Sequence, residues 1–131
     1  MEQAVESIRL ENDLILTIGD LSRKVAADRW QVELTAVIAI PVEARWFGPH
    51  LPAPAQIDDL RTALGDEVRF VHRNTRNFID ARDRETVFNR MRDSLKINAA
   101  KYYGHPDFAA RFLIRQYRIH LSRPRERGVE I

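Results

Sequence analysis

The residues best suited to chemistry lie in 69–84, RFVHRNTRNFIDARDR, which packs five arginines (Arg69, Arg73, Arg76, Arg82, Arg84), two asparagines and His72 into sixteen positions. Arginines beside a helix N-terminus form anion sites, because guanidinium forks and backbone N–H groups both favour negative charge. Arg73, Asn74, Arg76 and Asn77 are the anion-binding candidates of this stretch. The competing reading is a strand-to-helix connection whose arginines pair with Asp80, Asp83 and Glu85. A second basic row, Arg111, Arg115 and Arg118, continues into Arg123, Arg125 and Arg127. Such a row can follow nucleic-acid phosphates. No aromatic stacking platform accompanies it, so a solvated, acid-paired face is favoured over nucleic acid.

Other chemistries are poorly supplied. The chain has no cysteine, which removes disulfides, thiol catalysis and cysteine-ligated metals. His50, His72, His105 and His120 are widely spaced and no HExxH occurs, so no metal site is expected. The five glycines are single, which excludes phosphate-cradling loops, and no cofactor is expected. Ser7, Ser22, Ser94 and Ser122 lie in no GxSxG context. Asp58 and Asp59 diverge by 100° on a helix and do not form an acid/base pair. An enzyme would need a site gathered from dispersed residues such as His72, Asn98 and Tyr102. That reading expects a deep pocket where the three converge.

The tripeptide Asp20-Leu21-Ser22 is similar to a fragment of cyclic-dinucleotide-binding barrels of the PilZ kind. Val25 stands where that family has a glycine, and its upstream arginine motif is missing, so the chain is not assigned to it.

The elements that must position these groups follow from periodicity. Residues 29–42, RWQVELTAVIAIPV, place Trp30, Val32, Leu34, Ala36, Ile38 and Ile40 at every even position, which predicts the central strand. Its odd positions lose polarity towards the end, which predicts cover on both faces there. Leu10, Leu14, Leu16 and Ile18 predict a first strand; residues 19–28 read as a twisted extension of the two strands. Residues 1–7 read as a frayed lead-in and 123–131 as a loose tail. Four of six prolines fall in 41–55, a stiff crossing segment. In it Trp46 and Phe47 are either buttons that pin it to the body or an exposed pair that docks a partner.

A short helix is expected over 55–65 with Gly65 as its stop, and a third strand over 67–75. A right-handed crossover would set that strand parallel to the central one. Residues 80–103 predict a long helix with Val87, Phe88, Met91, Leu95, Ala99 and Tyr102 on one arc. Asn98 falls inside the arc and is expected to bond a loop carbonyl or, less favoured, to line a pocket with Tyr102. The last helix, from 105, is apolar over most of its circumference, which suits a wedged position or a face shared with another subunit.

The fold expected is a single α+β domain over 1–131, ordered β-β-α-β-α-α. It has a three-stranded sheet and two long C-terminal helices. Net charge is +2, split between −4 over residues 1–65 and +6 over 66–131. No apolar run reaches the roughly 20 residues needed to span a bilayer, and no secretory leader is read, so the expected compartment is the cytoplasm. The leading functional reading is a non-catalytic protein-interaction module, with a protein partner or a second copy as its ligand. An anion- or nucleic-acid-binding domain is the first alternative and an enzyme with a dispersed site the second.

Overall fold

In the computed structural model, residues 3–48 and 56–123 are described. The architecture is mixed α and β: an antiparallel sheet of five strands with three α-helices. The strands are β1 (Gln3–Arg9), β2 (Ile15–Asp20), β3 (Arg23–Ala26), β4 (Arg29–Pro41) and β5 (Glu67–Asp80). The helices are α1 (Ile57–Leu64), α2 (Arg84–Tyr102) and α3 (Phe108–Ser122). The three-stranded expectation is therefore corrected: β1 stands where a lead-in was expected, and β3 is an added short strand. Of the tail, only Arg123 lies among the described residues; of the proline-rich crossing, residues 49–55 lie outside them.

Hydrogen-bonded neighbours run β1-β2-β4-β3, and β5 also pairs with β4. β4 is thus the hub, as its alternation predicts. Val32, Leu34, Ala36, Ile38 and Ile40 are buried at the even positions. On the other face Thr35 is buried but Ala39 is exposed, so the expected double cover of the far end is not found. β2 and the start of β3 meet β4 in one register, Asp20 opposite Leu34 and Arg23 opposite Gln31, before the register shifts between Lys24 and Ala26. Only Leu21 and Ser22 separate them, so the two run along one edge of β4. The gap is held by Leu21 N–H donating to the Glu33 carbonyl and by Ser22 Oγ accepting from the Glu33 N–H. Residues 19–28 are indeed an extension of the two strands. Ser22 is spent on backbone pairing.

β5 runs antiparallel to β4, which corrects the parallel crossover. The Val42 N–H donates to the Asp66 carbonyl at one end, and the Ala81 N–H to the Asp28 carbonyl at the other. The excursion through α1 returns to the end of β4 it left, so the chain has no need to traverse the strand's length before pairing.

Two compact units emerge, dividing within β4 and β5: residues 1–39 with 69–105, and residues 40–68 with 106–131. In the first, Leu10, Leu14, Leu16 and Ile18 join the even face of β4 and Phe88, Met91, Leu95 and Ala99 of α2 as buried residues. Asn12, at the β1–β2 turn, donates to the Tyr103 carbonyl at 2.8 Å and the His105 carbonyl at 3.3 Å. This satisfies backbone that the end of α2 leaves over. Gly104 lies within that join; a Cβ there would meet the Ala100 carbonyl at 3.2 Å and the Glu11 nitrogen at 3.5 Å. In the second unit, Ile40, Val42, Phe47, Leu60, Ala109 and Leu113 are buried, and α1 packs on α3. Gly65 ends α1 at φ +88°, a conformation that disfavours any residue with a Cβ.

Candidate functional site

The first three quarters of the arginine-rich stretch, residues 69–80, are strand. β5 continues to Asp80, where a 3-10 turn (Ala81–Asp83) leads into α2. Arg73, Asn74, Arg76 and Asn77 therefore sit on the sheet and not at the start of the helix. Arg73 Nη1 lies 3.5 Å from Glu33, and Asn77 accepts from Gln31 at 3.0 Å, both across to β4. Arg76 turns to its own neighbours, donating to Asn74 at 2.7 Å and to the Thr75 carbonyl at 3.2 Å. Of the arginines at the helix end, Arg82 reaches Asp80 at 3.6 Å, and Arg84 stacks on Trp30 at 4.1 Å. Asp80 also accepts from the Arg82 N–H and pairs with Arg29 at 3.2 Å. The Arg82 backbone bond is the main cause that holds its carboxyl below the usual carboxylate range.

What β5 and α2 do bring together is His72, Asn98 and Tyr102. They line one groove of about 300 Å³ in the first unit. Leu34, Met91 and Leu95 give it an apolar lining, and Asn74 and Ser94 add polar groups. The spacing is physical. His72 and Asn74 share one face of a strand, and Met91, Ser94, Leu95, Asn98 and Tyr102 recur at three- and four-residue steps along one side of a helix. The groove is open. His72, Ser94 and Asn98 are exposed, and Tyr102 is 58% exposed, which corrects its expected place in the buried arc. Among the described residues Asn98 makes no bond to a loop carbonyl; of the two expectations for it, the pocket with Tyr102 is the one found. No hydrogen bond links His72, Asn98 and Tyr102 to each other among the described residues. The neighbouring Tyr103 packs on Phe70, ring centroids 5.0 Å apart, and burial pushes its phenol above the ordinary value.

A second candidate surface lies in the other unit, on α3. Arg111, Ile114, Arg115, Arg118, Ile119 and Ser122 line a concavity of about 600 Å³. They follow the i, i+3, i+4, i+7 rhythm of one helix face. Arg111 reaches Asp107 at 3.6 Å, an i,i+4 pair. Among the described residues no carboxylate lies within 4 Å of Arg115 or Arg118. Although the sequence expects α3 to be apolar nearly all round, only Ala109 and Leu113 are buried on it; Ile119 and Leu121 are exposed.

Trp46 and Phe47 separate in environment. Phe47 is buried. Trp46 is half-buried, its indole N–H donating to the Pro41 carbonyl at 2.8 Å and its ring beneath Arg45 at 3.9 Å. Sequence reasoning missed Phe78, which is 76% exposed with φ at +56°. A bulky residue in that region is strained, and nothing in the sequence around it signals the conformation. Among the described residues, no three His, Asp or Glu side chains gather as a metal site, and no helix is long and apolar enough to cross a membrane.

No protein-family model matches the chain, and neither the curated proteins nor the solved structures contain a match.

Proposed function

We propose that this chain is a non-catalytic interaction module of the cytoplasm, and that α3 presents its basic, apolar stripe to an acidic protein partner. The observation that supports this reading is the alignment of Arg111, Arg115 and Arg118 with Ile114 and Ile119 along one helix face. From Arg111 to Ser122 the stripe spans about 16 Å at 1.5 Å per residue, the reach of three helical turns. An amphipathic helix of that length, with glutamates flanking an apolar seam, complements it in shape and sign. A second copy bound by the same face would set arginine against arginine, which disfavours self-association there.

The test is a fluorescence-anisotropy titration of the full chain with a labelled Leu/Glu amphipathic peptide. A Leu/Lys peptide of the same pattern and a single-stranded RNA oligomer serve as comparisons. The reading expects the acidic peptide to bind tightest, with the paired change Arg115→Glu and Arg118→Glu weakening it at least about tenfold, or 1.4 kcal/mol. Preference for RNA would replace the protein reading with phosphate binding. Indifference to the charge reversal would end both.

A further inference from the structure

We infer that the groove between β5 and α2 is a binding site for a small, uncharged, planar ring compound with both a hydrogen-bond donor and an acceptor on its edge. The chemical class is that of a nucleobase or an aromatic amide. The site is separate from the α3 stripe and does not depend on it.

Three features define the class. The first is charge: among the described residues no Lys, Arg, Asp or Glu lines the groove. An ionised ligand would give up hydration without gaining a counter-charge, a cost that neutral ligands avoid. The second is size. About 300 Å³ is the lower end of ligand-binding clefts. That suits one ring system with small substituents and is too little for a peptide or a dinucleotide. The third is chemistry. Asn98 offers an amide donor and an acceptor side by side, the pairing that reads the edge of adenine or of another carboxamide. Among the described residues its side chain makes no hydrogen bond, and neither do those of His72 and Ser94, so all three are available to a ligand. Leu34, Met91 and Leu95 give the ring an apolar surface, and His72 and Tyr102 line the groove beside it, the Tyr102 ring lying under the Lys101 ammonium at 5.7 Å.

The groove also explains an oddity of α2. Asn98 lies on the same side of the helix as the buried Met91 and Leu95, where another leucine would continue the apolar arc.

The experiment is a ¹H–¹⁵N NMR titration of the full chain with adenine, uracil and nicotinamide, with benzoate and benzylamine as charged controls. At least one neutral ring should bind with a Kd of about 1 mM or tighter. It should shift the amides of Asn74, Ser94 and Asn98, and the charged controls should bind at least about tenfold more weakly. Asn98→Leu, an exposed change on a helix, should abolish those shifts, whereas the Arg115→Glu, Arg118→Glu chain should retain them. The inference is overturned if no neutral ring binds by about 10 mM, if the shifts fall outside the groove, if the charged controls bind equally well, or if Asn98→Leu binds as the parent does.

Discussion

α2 and α3 are both amphipathic, but they use their apolar residues differently. α2 commits Phe88, Met91, Leu95 and Ala99 to the core, and its polar side chains at Ser94 and Asn98 border a groove. α3 is richer in apolar residues and buries only Ala109 and Leu113 among its fifteen. Apolar content alone therefore does not report packing. What separates the helices is whether the apolar residues fall on the side that meets other elements. On α3 the surplus is left beside arginines, and this pairing of exposed apolar surface with positive charge motivates the interaction reading.

The contrast can be broken first at single leucines. Leu95→Ala should cost about 2–5 kcal/mol, since it opens a cavity under α2. Leu121→Ala, 64% exposed on α3, should stay within about 0.5 kcal/mol. Chemical denaturation of both variants decides the matter; equal losses would mean that α3 is packed as tightly as α2. Next in size is Asn12→Ala. It removes two bonds to the end of α2 and should cost about 1–2 kcal/mol, with faster amide exchange over residues 99–104. Nothing comparable is expected from Ser122→Ala at the end of α3, whose hydroxyl donates to the carbonyl of the exposed Ile119.

The smallest effect is in pH. Burial raises the Tyr103 phenol above its ordinary value, so the folded chain holds that proton more tightly than the unfolded chain does. The associated stability is complete below about pH 10 and is lost as pH rises through the folded value. Tyr103→Phe should remove that part of the alkaline decline, as read by thermal unfolding at stepped pH. Asp80 works in the opposite sense. Its lowered carboxyl favours the fold above the ordinary carboxylate value, and the contribution fades as pH falls through the folded one.

The parts of the fold that sequence reading recovered are those whose burial leaves a period. β4 shows strict alternation because one of its faces is core. α2 shows its arc because four residues of it are core. β1 and β3 were invisible for the same reason. All four residues of β3 are exposed, and in β1 the half-buried face carries Glu6 while the exposed face carries Val5, so neither shows an apolar alternation to detect. β5 was read only to Thr75, because residues 75–78 are exposed on both faces. Its direction was misjudged because a helix between two strands suggests a crossover, whereas the bond from Val42 to Asp66 closes the excursion on itself. Of the candidate sites, His72, Asn98 and Tyr102 could be named singly as polar residues in structured segments. Their meeting depends on the register of β5 against α2, which no local pattern encodes.

The central claim is that the exposed stripe of α3 is a charge-selective contact surface. Its most direct measurement is an NMR map of the full chain on addition of the acidic Leu/Glu peptide. The account predicts amide shifts concentrated over Arg111–Ser122, lost in the Arg115→Glu, Arg118→Glu chain and weakened by salt. Shifts spread evenly over the surface, or an unchanged pattern in the charge-reversed chain, would contradict it.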